Sequence, residues 1–230
     1  LEITFMNIVH NQSMRLNKVQ AVYERGSKFS MTTAARHDAL RAALLAASRQ
    51  AIDQHGLSGL KARDVAQAAG CSLGAIYLVF PDLDALILAV NDATLADLGA
   101  ALGCAGPAPG PPAEQLVRLA ACYLDYALAH PLRWSALFTH RLPVGRTAPA
   151  EYLAHQARLF AYVEQPLATL RPSLTPEELA NLARTVFSAV HGVVSLGLDK
   201  KLTPILPELM HEQLRFLVLA IARGLDETRR

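Results

Sequence analysis

The sequence predicts an all-α protein of about nine helices. Three observations predict it. Apolar residues recur at intervals of three and four along most of the 230 residues, as in amphipathic helices. No stretch alternates apolar and polar residues as a half-buried strand would. Ala and Leu, both strong helix formers, dominate a chain that is 52% apolar but only 6% aromatic.

Residues 1–30 mix polar and apolar side chains without a period and are expected to be an N-terminal extension of uncertain status, with Met31 opening the folded part. The opening LEITFMNIVH has no basic region ahead of its apolar residues, so no signal peptide is expected. A first helix is predicted over 35–54, where Leu40, Leu44, Ala47 and Ala51, flanked by Leu45 and Ile52, form one face and Gly56 stops it. A short helix over 61–69 ends at Gly70, and a shorter one opens after Ser72, its expected N-cap. Pro81 breaks that helix, and Asp82 is expected to cap a long one to about residue 102. The stretch GCAGPAPGPP, residues 103–112, reads as loop.

Periodicity resumes over 113–130 through Leu116, Leu119, Ala120, Tyr123, Leu124 and Ala127, and Pro131 interrupts it. The piece 132–140 carries Trp134, Leu137 and Phe138. After the loop RLPVGRTAP, a long helix over 150–170 contains Pro166. Thr175 as N-cap, Pro176 at the first position and two acids then open a helix to about residue 198, and a last one covers about 207–225.

Charge divides the chain. Residues 1–80 hold nine Lys/Arg against five Asp/Glu, and residues 81–230 hold thirteen against fifteen. A basic front half points to a polyanionic partner there. Cys71, Cys104 and Cys122 form no CxxC pair and are odd in number, which favours a reduced, cytoplasmic setting with all three buried. No apolar run is expected to approach a membrane span, so no membrane partner is expected.

The stretch KARDVAQAAGCSLGAIYLVFPD joins two very short helices through a glycine turn, the pattern of a helix-turn-helix unit. Val65, Ala66 and Ala69 face inward, and Gly70 supplies the positive φ of the turn. Ser72, Leu73, Gly74 and Ala75 lie at the leading end of the second helix, where a recognition helix meets base edges in the major groove. Gly74 lets backbone approach DNA closely, Tyr77 points a hydroxyl at a phosphate, and Lys61 and Arg63 place cations by the backbone. Arg36, on the first helix, completes the candidate DNA-binding set.

The run RDVAQAAGCSLGAIYLVFPDLDAL, residues 63–86, resembles the DNA-binding signature of TetR-type transcriptional regulators, with Val65, Ala66, Ala69, Gly70, Ser72, Gly74, Tyr77, Phe80 and Leu86 at its places. The family's usual His falls on Val79 and its usual Lys on Leu83, which implies weaker contact with phosphates. The resemblance covers residues 36–90 and implies a homodimer with two DNA-binding heads and a ligand-responsive helical body. It divides the chain into the extension 1–30, a helix-turn-helix domain over 31–82, and an effector-binding and dimerisation domain over 83–230.

The second half also resembles a TetR-type ligand domain with a His-Gly element, here VFSAVHGVVSLGL, paired with YALAHPLRWSALF. Tyr126, Trp134, Phe138, Phe160 and Phe187 come from different helices and are expected to line an apolar cavity, with His191 as a polar contact; each is also an ordinary core residue type. For the dimer, Leu179, Leu182, Val186, Val190 and Val193 form a seam beside the small residues Ser188, Ala189, Gly192 and Ser195, and the last helix carries the apolar run FLVLAI.

Enzyme chemistry finds no support. His211-Glu212 begins like HExxH, but Arg215 occupies the second histidine position. Neither a nucleophile elbow nor a phosphate-cradling glycine loop is present, and no cofactor or metal is expected. The sequence therefore predicts a ligand-responsive regulator, a repressor released from double-stranded operator DNA by a small, mostly apolar effector. The competing expectation is a helical binder or scaffold whose head, altered at Val79 and Leu83, has lost its grip on DNA.

Overall fold

The protein is described by a computed structural model over residues 32–105, 109–199 and 205–227; the expectations for residues 1–30, and for Met31 as the start of the folded part, lie outside them. Among the described residues the fold is all-α, with nine α-helices, one 3-10 turn and no strand. The helices are α1 (Thr33–His55), α2 (Ala62–Ala68), α3 (Leu73–Val79), α4 (Leu83–Ala105), α5 (Pro112–Ala129), α6 (Pro131–Thr139), α7 (Ala150–Leu170), α8 (Pro176–Gly197) and α9 (Pro207–Glu227). The 3-10 turn, Leu57–Gly59, follows α1. By backbone proximity the chain divides into Leu1–Ala42 and Ala43–Arg230, a division that falls inside α1. Everything below, Arg36 apart, concerns the second unit.

The helix ends follow local chemistry. Gly56 ends α1 at a φ of 69°, its N–H donating to Ile52 O at 2.8 Å. Asp82 caps α4 by accepting from Ala85 N–H at 2.7 Å. Thr175 and Glu178 form a reciprocal capping box with Pro176 at the first helical position of α8. Pro166 sits buried inside α7, which runs through it. The expected loop over 103–112 begins later than its first glycine: α4 continues to Ala105, and Gly103 lets Tyr162 of α7 approach so closely that a Cβ would meet its phenol oxygen at 2.9 Å.

The body's core is one apolar cluster from α4 to α9, including Leu98, Leu119, Leu124, Leu167, Val190 and Leu214. Within it α5 packs on α9, α4 on α7 and α5, and α8 on α7 and α9. Leu44, Ile52, Val65 and Ile76 of α1–α3, with Phe80 at the C-cap of α3, are buried outside that cluster and give the head its own small core.

Three expectations need correction. Val186 and Val190 are buried in the body's core, and Leu179, Leu182 and Val193 pack against it. The apolar seam of α8 therefore serves this chain's own interior, and the opposite stripe carrying Ser188 faces outward. Cys104 is exposed and Cys71 and Cys122 are half-buried: Cys71 sits in the turn between α2 and α3, and Cys104 and Cys122 lie off the most buried stripes of α4 and α5. Finally, α4 and α8 are long and apolar enough, by length and composition alone, to cross a membrane. Half of the α4 span is buried inside the bundle, as befits the central helix of a packed core.

Candidate DNA-binding head and effector cavity

Helix α2 stops in a Schellman turn. Gly70, at φ 69°, donates to Gln67 O at 3.1 Å, and Cys71 N–H donates to Ala66 O at 2.9 Å. This turn aims α3 away from α2, while Ile76 and Phe80 anchor α3 inward. The outward side carries Ser72, Leu73, Gly74 and Tyr77, all exposed, with Ala75 half-buried behind them. Lys61 and Arg63 are exposed at the start of α2, and Arg36 is exposed near the start of α1.

Ser72 occupies the N-cap position of α3 but makes no capping hydrogen bond, against expectation. Its hydroxyl and the first amides of α3 remain open to an incoming acceptor. A Cβ placed on Gly74 would meet nothing within 4 Å, so this glycine leaves clear space in front of the recognition face.

In the body, α4, α5, α6, α7, α8 and α9 enclose a cavity of about 140 Å³. Phe138, Phe160 and Phe187 line it, as expected, among leucines and valines. Tyr126, Trp134 and His191 do not. Tyr126 turns toward α4, its hydroxyl donating to Thr94 O at 3.4 Å and its ring edge-on to His130. Trp134 and His191 form a layer behind the wall: the His191 ring lies 4.2 Å from Phe138, 5.4 Å from Trp134 and 5.6 Å from Phe187, centroid to centroid.

Three polar side chains line the cavity that sequence reasoning did not single out: Tyr123, Tyr152 and Gln156. Tyr123 was legible only as an apolar-face position of α5. Its hydroxyl pairs with His191 Nδ1 at 2.8 Å. Burial pushes the Tyr123 phenol well above its ordinary range and the Tyr152 phenol upward, so both stay neutral. Burial also lowers the His191 pKa, which keeps the imidazole neutral.

The His191 shift has a direct consequence. The folded state binds this proton less readily than the unfolded chain, so the stability it contributes is present above about pH 6.5 and is lost as pH falls through that value toward the folded pKa. Thermal unfolding followed from pH 7.5 to about 5.5 should therefore show a larger loss for the native chain than for His191→Asn.

Residues 44–90 match the family model described as "Bacterial regulatory proteins, tetR family", and residues 116–221 match "Tetracyclin repressor-like, C-terminal domain". Together the two matches span more than half of the chain, in the order of the head and the body. The chain belongs to the TetR family.

Solved structures share its fold. A tetR-family transcriptional regulator from Streptomyces coelicolor superposes with a TM-score of 0.60 at 21% identity, covering 82% of this chain and 84% of its own. A transcriptional regulator from Rhodococcus sp. RHA1 gives 0.58 at 24% identity, covering 81% and 97%. RolR, in complex with resorcinol, gives 0.59 at 19% identity, covering 84% and 95%. No curated protein gives a significant match.

In this TetR family chain one short helix touches both the head and the cavity. Leu137 and Phe138 of α6 line the cavity, while Leu132 of the same helix lies against Gly56 at the end of α1. Between them Arg133, only 4% exposed, places Nε 2.7 Å from Asp53 Oδ1 of α1 and donates from NH1 to Asp97 Oδ2 of α4 at 3.3 Å. Its NH2 donates to His130 Nδ1 at 2.8 Å, and Arg49 of α1 pairs with the same Asp97. A second clasp holds the start of α4: Arg146 donates to both oxygens of Asp82, at 2.7 and 3.2 Å, and His140 Nε2 pairs with Asp84 at 2.9 Å. These ions are 36 to 80 places apart along the chain, so no local pattern announced them.

The abortive HExxH has a structural use. His211 pairs with Asp125 at 2.8 Å, and Arg215 grips Glu114 through two 2.8 Å bonds, tying α9 to α5. Among the described residues no three His, Cys, Asp or Glu side chains are grouped to hold a metal.

Proposed function

We propose that this TetR family regulator is a homodimeric, non-enzymatic repressor whose two α3 helices read operator half-sites, and that an effector in the body cavity releases it. The observation that carries this reading is α6. It contributes Phe138 to the cavity wall and Arg133 to the clasp on α1 within six residues, so a molecule that displaces Phe138 also loads Arg133. Half-sites lie about one helical turn or a multiple apart, so a small tilt of each head is enough to spoil the match. Resorcinol, the ligand seen with RolR, is of a size that this cavity admits.

The outward stripes of α8 and α9 support dimerisation. They expose Ser188 and Leu196 on α8, beside Leu209, Phe216 and Ala220 on α9. Phe216 is 76% exposed and Leu196 60%, large apolar groups that a second copy of the same two helices would cover in a four-helix interface.

The DNA arm of the proposal is tested at Leu83, half-buried at the first position of α4. Leu83→Lys adds a cation where the family usually carries one. The slope of log affinity against log salt should steepen by about 0.9 for each head that gains a phosphate contact. An unchanged slope would mean that the start of α4 does not face the DNA backbone, and the helical-binder alternative would gain ground.

A further inference from the structure

The cavity's wall chemistry narrows what it can hold. Of its lining side chains only Tyr123, Tyr152 and Gln156 are polar, and none carries a charge. An ion placed there would lose its hydration without gaining a partner. The nearby Asp92 carboxylate of α4 is itself paired with His155 Nδ1 at 2.6 Å, so it offers the cavity no free charge. Size limits the occupant as well. A space of about 140 Å³ is close to the roughly 150 Å³ apolar cavities that take benzene. Its aromatic wall is arranged edge to face, with Phe187 against Tyr123 at 5.6 Å and against Phe160 at 5.4 Å, a surface that a flat ring continues well.

The polar groups are unequal. Tyr123 already spends its hydroxyl on His191. Tyr152 and Gln156 lie one turn apart on α7, on the same face, and neither makes a side-chain hydrogen bond among the described residues. Gln156 is exposed and Tyr152 half-buried, so they stand at the mouth while Tyr123 closes the inner end.

We propose that the cavity takes an uncharged, single-ring molecule bearing one hydrogen-bonding group, its ring seated among Phe138, Phe160 and Phe187 and its polar group held by Tyr152 and Gln156. The assignment rests on the reading of this cavity as the effector site.

Calorimetric titration of the full chain with p-cresol, toluene, 4-methylbenzoate and 2-naphthol at about pH 7.5 tests it. The expected order is p-cresol tightest and toluene weaker, with no heat from the anion or the two-ring probe. In the double variant Tyr152→Phe, Gln156→Leu, p-cresol should weaken about tenfold, to the level of toluene, as lost neutral hydrogen bonds require. Toluene should bind as before, which also shows that the variant is folded. Equal binding of 4-methylbenzoate and p-cresol, equal binding of toluene and p-cresol to the native chain, or no binding by any probe would overturn the proposal. Anisotropy on operator DNA is read separately. If p-cresol binds in the expected order yet leaves DNA affinity unchanged, the ligand assignment stands and the regulatory reading falls.

Discussion

Arg133→Ala is expected to lower the unfolding midpoint by roughly 4–12 °C and to uncouple the cavity from the head. Arg133 is almost fully buried, and its guanidinium serves Asp53, Asp97 and His130 together. Removing one partner of a fully buried ion pair costs several kcal/mol. Here both carboxylates are about 39% exposed and can rehydrate, and Asp97 keeps Arg49, so the loss should be smaller. About 2–3 kcal/mol, the scale of hydrogen bonds to charged groups, is the expected size. At roughly 2–4 °C per kcal/mol for a chain of this length, that gives the stated shift. Arg133→Lys should recover only part of it, since an ammonium cannot reproduce the planar fork toward two acids. A thermal melt identical to that of the native chain would show that the clasp holds nothing. In the variant, ligand and operator should bind independently, because the route through α6 is cut.

Gly74→Leu should weaken operator binding on the order of a hundredfold while leaving the fold intact or slightly firmer. The added side chain meets nothing within the free protein, and replacing a helical glycine gains about 0.5–1 kcal/mol. In the complex the same side chain must occupy the space between α3 and the base edges. Stability and affinity are therefore expected to move in opposite directions, which separates a contact effect from a folding defect. A melting curve with an anisotropy titration on the same sample reads both. Unchanged affinity would remove α3 from the DNA interface.

Much of this was legible because it is local. Gly70, the Thr175 cap and the Asp82 cap are set by neighbours within a few residues, and each stands where the pattern put it. The helix periodicities depend on burial along one element, so the nine helices were also within reach. The cavity wall was legible where a residue type and a helix face agree, as for Phe138, Phe160 and Phe187. It was not legible where tertiary approach decides. Tyr126 and Tyr123 lie three positions apart on α5 and both are aromatic, yet an offset of about 60° around the helix sends one to Thr94 of α4 and the other to the cavity. The α8 seam posed the same difficulty: an apolar stripe announces burial but does not name what covers it, and here the covering is the chain's own core.

Whether the head reads DNA is decided by fluorescence anisotropy of the purified protein on the DNA flanking its own gene, beside a shuffled fragment of equal length, across a salt series. Tight binding to the flank alone is expected, with affinity falling steeply as salt rises. Equal, feeble binding to both fragments would contradict it, and would mean that the head presented by α2 and α3 no longer reads DNA.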